Sequence, residues 1–136
     1  MTIQGIIPIF IDTNVLLHHF EFKINIEEAI NRIVTKKYEI FVHRLVEMEI
    51  LESLIKKGKV ARNAKVAVQL MSRYKEYDDE VEYEGTDVAL MQTAKKENGC
   101  VLTFDKDLKR RCLSRGIAVI SLYKPGRLAL TGQIEN

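Results

Sequence analysis

The sequence predicts an α/β domain of three layers, with helices on both faces of a mostly parallel sheet of about five strands. Three observations carry this. Residues 6–11 (Ile-Ile-Pro-Ile-Phe-Ile) and 101–104 (Val-Leu-Thr-Phe) are short, nearly continuous apolar runs, the pattern of strands buried on both faces. Segments with apolar residues at helical spacing alternate with such runs. Each of the two runs ends in an acid, Asp12 and Asp105, where open α/β sheets place their ligands.

The elements follow in order. A short helix is expected over residues 14–20. Asn25, with Glu28 three residues on, has the form of a capping box ahead of Ile26, Ala29, Ile30, Ile33 and Val34. Residues 38–43 are β-rich and read as the second strand. Leu45, Met48, Leu51, Leu54 and Ile55 predict the inner face of the next helix, which Gly58 stops. Residues 60–74 predict a further helix with Ala64, Ala67, Val68 and Met71 inward. An edge strand is expected near residues 80–84. Thr86 is placed as the cap of a helix whose inner face is Val88, Leu90, Met91 and Ala94, ending at Asn98-Gly99. Residues 100–104 form a strand, 106–115 a helix ended by Gly116, and 117–122 the last strand.

The chain has 136 residues, 46% hydrophobic and 29% charged, which suits one folded domain and excludes a disordered polymer. No apolar stretch is long enough to span a bilayer, and no secretory leader is evident, so no membrane association and a cytoplasmic location are expected. Cys100 and Cys112 have no metal-site spacing and read as buried free thiols. Net charge is only +2, but it is segregated: residues 76–87 carry acids without Lys or Arg, and residues 106–127 carry seven bases against Asp107 alone. That suits either solvated faces or a basic surface beside an acidic pocket that holds a polyanion.

Four acids stand apart. Asp12 and Asp105 end apolar strands, Glu49 lies early in the helix after the second strand, and Asp87 starts a helix in Gly85-Thr86-Asp87-Val88. Such ends can converge on one rim of a parallel sheet. Clustered carboxylates repel, and hard divalent cations relieve the repulsion. A set of Asp and Glu without His or Cys favours Mg²⁺ or Mn²⁺ and phosphoryl chemistry over zinc. Taken singly, Asp105 reads better as a helix cap than as a site residue.

Several stretches together carry a family resemblance. They are Phe10-Ile11-Asp12-Thr13-Asn14-Val15-Leu16-Leu17, Glu49 on its helix, Thr86-Asp87-Val88-Ala89, and Leu102-Thr103-Phe104-Asp105-Lys106-Asp107-Leu108. In order and spacing the chain resembles a PIN-domain ribonuclease over nearly its whole length, residues 1–136. The resemblance implies that Asp12, Glu49, Asp87 and Asp105 are catalytic and bind Mg²⁺ or Mn²⁺. It implies that Asn14 and Thr103 support them by hydrogen bonds and that Asp107 is auxiliary. Two positions depart from the pattern: Val88 stands where a second acid often follows, and Phe104 where an Asn often precedes the fourth Asp.

Arg44, Arg110 and Arg111 are candidate phosphate contacts. His18, His19 and His43 are read mainly as structural, and Glu47 points away from the face that carries Glu49. The function expected is a metal-dependent endoribonuclease leaving 5′-phosphate and 3′-hydroxyl ends, as the resemblance implies. Its role is that of a VapC-like toxin with a possible antitoxin partner, or that of a ribosomal-RNA processing enzyme. RNA is the expected partner, and a homodimer is expected by resemblance. The alternatives are a catalytically idle RNA- or protein-binding module, and an aspartate-based phosphatase or receiver domain. Asn14, two residues after Asp12, counts against the phosphatase.

Overall fold

The computed structural model describes residues 5–134. The elements run β1 (Ile7–Ile11), α1 (Thr13–His18), α2 (Ile26–Asn31), β2 (Tyr38–His43), α3 (Arg44–Leu54), α4 (Lys59–Met71), β3 (Lys75–Tyr77), α5 (Thr86–Lys96), β4 (Cys100–Leu102), α6 (Lys106–Ser114), β5 (Ala118–Lys124) and β6 (Arg127–Thr131). The sheet order is β3-β2-β1-β4-β5-β6. All pairings are parallel except β5 with β6. The three-layer architecture is as predicted, with six strands where about five were expected.

The chain builds outward from β1 on one side through β2 and β3, then crosses to β4 and β5 on the other. A topological switch point therefore lies between β1 and β4, and the crevice at their carboxyl ends is the natural ligand site. β1 earns its place at the centre by composition: all five residues are buried. Phe10 stacks on Phe41 and meets Tyr77 edge-on, with centroids 5.6 and 5.1 Å away. Both cysteines are buried free thiols, as expected. Among the described residues no helix is long and apolar enough to cross a membrane.

Four expectations are corrected. In α3 the buried residues are Val46, Ile50 and Ser53, while Met48, Leu51 and Ile55 are exposed. The stretch Leu45-Val46-Glu47-Met48-Glu49-Ile50-Leu51 is apolar on two faces, and spacing alone does not choose between them. The strand and helices beside α3 select the face with Val46 and Ile50, which turns Glu49 outward beside it. Ile50→Ala is accordingly expected to cost about 2–5 kcal/mol in urea denaturation. Ile55→Ala, at a side chain 86% exposed, should stay within about 0.5 kcal/mol.

The edge strand is Lys75–Tyr77, not residues 80–84. Asp78 and Asp79 accept hydrogen bonds from the backbone N–H groups of Glu80 and Val81 at 2.9 and 3.3 Å, and Glu80 adopts φ 59. These side-chain turns divert the backbone from the ladder. Gly85, not Thr86, precedes α5, and no side chain caps that helix. Finally, Lys124-Pro125-Gly126-Arg127 turns β5 back into the unpredicted β6. Pro125 precedes Gly126, whose φ is 80, the arrangement of a type II turn.

Candidate active site

The switch point holds most of the predicted residues. Asp12 is the first residue past β1, yet its N–H still donates to the Leu102 carbonyl at 2.8 Å. The residue is 6% exposed. It caps α1: Oδ1 accepts from the Thr13 N–H at 2.8 Å. Oδ2 accepts from the Thr103 hydroxyl at 2.6 Å. That hydroxyl oxygen also accepts from the Asp105 N–H at 3.0 Å. Thr103 is fully buried, and its own N–H donates to Ile120 in β5 at 3.0 Å. One hydroxyl thus ties the loops after β1 and β4 together.

Asp105 caps α6, its Oδ1 accepting from the N–H groups of Asp107 and Leu108 at 2.8 and 3.4 Å. The capping role weighed for Asp105 in the sequence is real and uses only one of its two oxygens. Asn14 Oδ1 accepts from the Phe104 N–H at 3.2 Å. The bond runs through the Phe104 backbone, so the apolar side chain at that position does not remove it.

Glu49 reaches the site from α3, accepting a short hydrogen bond from the Thr13 hydroxyl. Asp87 reaches it from the first turn of α5, held by Arg111 Nη1 at 3.3 Å from Oδ2. Thr13 escaped the sequence reading, although it directly follows Asp12. The signal available was a hydroxyl at the first position of a capped helix, facing a neighbouring acid.

Electrostatics record the crowding. Burial, aided by Asp87 and Glu49, pushes the Asp12 carboxyl up to about 6 against the hydrogen bonds from Thr103 and Thr13 that favour its charge. Burial also raises Asp87, with Asp105, Glu49 and Asp107 adding to the rise and Arg111 opposing it. Carboxylates that raise one another's affinity for a proton are the donor set a hard cation suits. Among the described residues, no three Asp, Glu, His or Cys side chains converge closely enough to hold an ion as placed. The Thr13 and Arg111 contacts hold Glu49 and Asp87, and these are the contacts a cation would have to displace. The donors therefore fit Mg²⁺ or Mn²⁺ in chemistry, with a change of side-chain position.

Thr103→Val removes a donor to the charged form of Asp12. The Asp12 titration midpoint should then rise by about one pH unit or more beyond its present value, read by carbon NMR of the carboxyl group. Thr103→Ser, which keeps the hydroxyl, should leave the midpoint in place.

The other candidates fall outside the carboxylate group or at its margin. Asp107 is exposed and pairs with Arg110 at 2.5 Å. Arg44 turns away to Asp78, 3.4 Å from Nε to Oδ1. Of the three arginines, only Arg111 contacts one of the four acids. His43 is fully buried and caps α3, its Nδ1 accepting from the Leu45 N–H at 3.0 Å. His18 pairs with Glu21 at 3.3 Å.

A mostly parallel α/β/α sheet with acids from β1, α3, α5 and β4 at its switch point defines a class of protein, and sequence comparison agrees with it. Residues 9–124 match the family described as PIN like domain. The chain belongs to that family. It is 32% identical over 128 residues to Ribonuclease VapC4 of Methanocaldococcus jannaschii, covering 90% of this chain and 95% of that one. It is 34% identical over 119 residues to Ribonuclease VapC9 of Archaeoglobus fulgidus, covering 87% and 84%. Its fold is similar to that of the PIN domain endonuclease Utp24, with TM-score 0.72 at 20% identity over 94% of this chain and 93% of that one. A domain of a functionally unknown protein from M. jannaschii shares the fold at TM-score 0.63 and 17% identity, over 95% and 96%.

Proposed function

We propose that the chain, as one PIN-like domain, is an endoribonuclease that hydrolyses RNA phosphodiesters with the help of Mg²⁺ or Mn²⁺. The observation that carries this reading is the gathering of four acids around the switch point, where the Thr103 hydroxyl bridges Asp12 and the Asp105 backbone, Thr13 reaches Glu49, and Arg111 reaches Asp87. The names of the two relatives support RNA as the substrate.

Asp12, Asp87, Asp105 and Glu49 would hold the cation. When bound, such a cation supplies positive charge opposite the phosphate and makes water a better nucleophile. The protein's own residues do the rest. Thr103 holds Asp12 in its charged form and fixes its orientation. Asn14 fixes the loop before Asp105. Glu49, the most exposed of the four, would orient the attacking water. Arg111, next to Asp87, would meet a phosphate, with Arg110 and Asp107 on the same helix α6. Hydrolysis leaves a 5′-phosphate and a 3′-hydroxyl, as the family resemblance implies.

The activity serves either a toxin with an antitoxin partner, which the relatives' VapC names suit, or ribosomal-RNA processing. An adjacent reading frame whose product co-purifies with this chain tests that choice. The expected homodimer draws support from Met48 and Leu51, exposed apolar side chains on α3 that a second copy would cover. Leu51→Glu should then shift sedimentation toward the monomer. For the activity itself, the purified chain is expected to cleave labelled single-stranded RNA with Mn²⁺ and not with EDTA. A preparation with intact fold that cleaves no RNA under any divalent cation overturns the reading.

A further inference from the structure

The hairpin of β5 and β6 has a use that the carboxylate site does not absorb. In register, Ile120 lies beside Leu102, so β5 continues four residues past the end of β4 to Lys124. At about 3.3 Å per residue this carries the tip roughly 13 Å beyond that level, on the same end of the sheet as Asp12 and Asp105. The tip is fixed there. The Gly126 N–H donates to the Phe22 carbonyl at 2.8 Å. Phe22 meets Phe104, the residue before Asp105, edge-on at 5.3 Å between centroids. The hairpin and the carboxylate loop are therefore linked through two aromatic rings.

Between this hairpin and α2 lies a groove of about 330 Å³, lined by Arg32, Ile33, Tyr123, Lys124, Arg127 and Leu128 among others. Its polar residues are all cationic or aromatic. Tyr123 is 70% exposed, and Lys124 Nζ stands 5.7 Å from its ring centroid. Arg32 is held by Glu28 at 2.6 Å. Among the described residues no carboxylate pairs with Lys124 or Arg127. The groove thus sets a large exposed aromatic ring with two cations that no carboxylate of the described residues neutralises. It matches single-stranded nucleic acid, which offers a base to stack and phosphates to neutralise.

We propose that this groove is a second RNA-binding subsite, which holds the single strand on one side of the cleavage point. Tyr123 stacks on a base, and Lys124 and Arg127 contact backbone phosphates. The strand runs from the carboxylates past Phe104 and Phe22 to the hairpin. The inference rests on the nuclease reading above and adds the direction in which the substrate leaves the site.

The test is fluorescence anisotropy of the full chain with a labelled single-stranded RNA of ~12 nucleotides in EDTA, over a series of salt concentrations. Lys124→Gln with Arg127→Gln is expected to weaken binding about tenfold or more. It should also flatten the slope of log affinity against log salt by about 1.4, two phosphates at about 0.7 each. Tyr123→Ala is expected to weaken binding about fivefold or more without changing the slope. Neutralising Lys57 and Lys65, exposed cations of the α3–α4 side, should change neither quantity. Parent-like affinity and slope in both hairpin variants would overturn the subsite and leave the nuclease reading standing. So would equal losses in the Lys57 and Lys65 variant, since only generic charge would then be at work. A parent protein that binds no RNA in EDTA overturns the subsite, and cleavage by that same protein with Mn²⁺ would leave the nuclease reading standing.

Discussion

Asp12→Asn is expected to lower RNA cleavage by at least about a hundredfold, on the scale of removing a principal electrostatic group. The same change should make the protein more stable above pH 7. The sign follows from the carboxyl group. Its ordinary midpoint is 3.8, and burial lifts it to about 6 in the folded chain. Well below pH 3.8 the group is protonated whether folded or not, and stability is at its fullest. As pH rises toward 6 the unfolded chain loses its proton more readily, so folding loses ground. Each pH unit between the midpoints is worth about 1.4 kcal/mol, so the penalty reaches about 3 kcal/mol above pH 7. Asparagine carries no such penalty. Its oxygen can keep the cap on Thr13, and its amide can donate to the Thr103 oxygen. The variant should melt several degrees above the parent at pH 8 and level with it or below at pH 4. Added Mn²⁺ should narrow the gap at pH 8 by stabilising the parent alone. A variant that cleaves like the parent, or melts below it at pH 8, contradicts the assignment of Asp12.

Gly99→Ala is expected to destabilise the fold by about 3 kcal/mol or more in urea denaturation. A Cβ at this position would lie 2.2 Å from the Pro8 carbonyl oxygen and 3.1 Å from the Pro8 carbonyl carbon. Both obstacles belong to the backbone, so no side-chain rotation relieves them. The start of β4 would have to move away from β1, where Ile9 and Cys100 are in register. The same movement loosens the crevice between Asp12 and Thr103, so cleavage should fall with stability. A cost under about 1 kcal/mol would mean that the two strands separate freely at this end.

The parallel core and the acidic group were legible because both are written locally. Residues 6–11 admit little but a buried strand, and an acid placed directly after it has to emerge at the strand's carboxyl end. Asn25 and Glu28 likewise announce their helix, and the Asn25 carboxamide does cap it, at 3.3 Å from the Glu28 N–H. What remained hidden depends on partners distant in sequence. α3 offers two apolar faces, and only its neighbours decide that Ile50 is buried and Leu51 is not. Arg44 looks like a phosphate contact until Asp78, 34 residues away, claims it. Thr13 becomes part of the site only when α3 brings Glu49 to its hydroxyl. The sixth strand was signalled by Pro125-Gly126, but its weak alternation concealed it.

The helix caps carry one consequence of another kind. Asp12 and Asp105 each use Oδ1 to hold a helix end, a task that asparagine performs as well. Folding therefore does not require the negative charge at Asp12, and above neutral pH it is opposed by it. A lineage that ceased to need the chemistry would drift toward an amide at position 12 and gain stability as it did so. Inactive descendants of such a domain should be sturdier than their active ancestors, well suited to persist as scaffolds. In this chain, the carboxylate at position 12 is a cost that only the chemistry justifies.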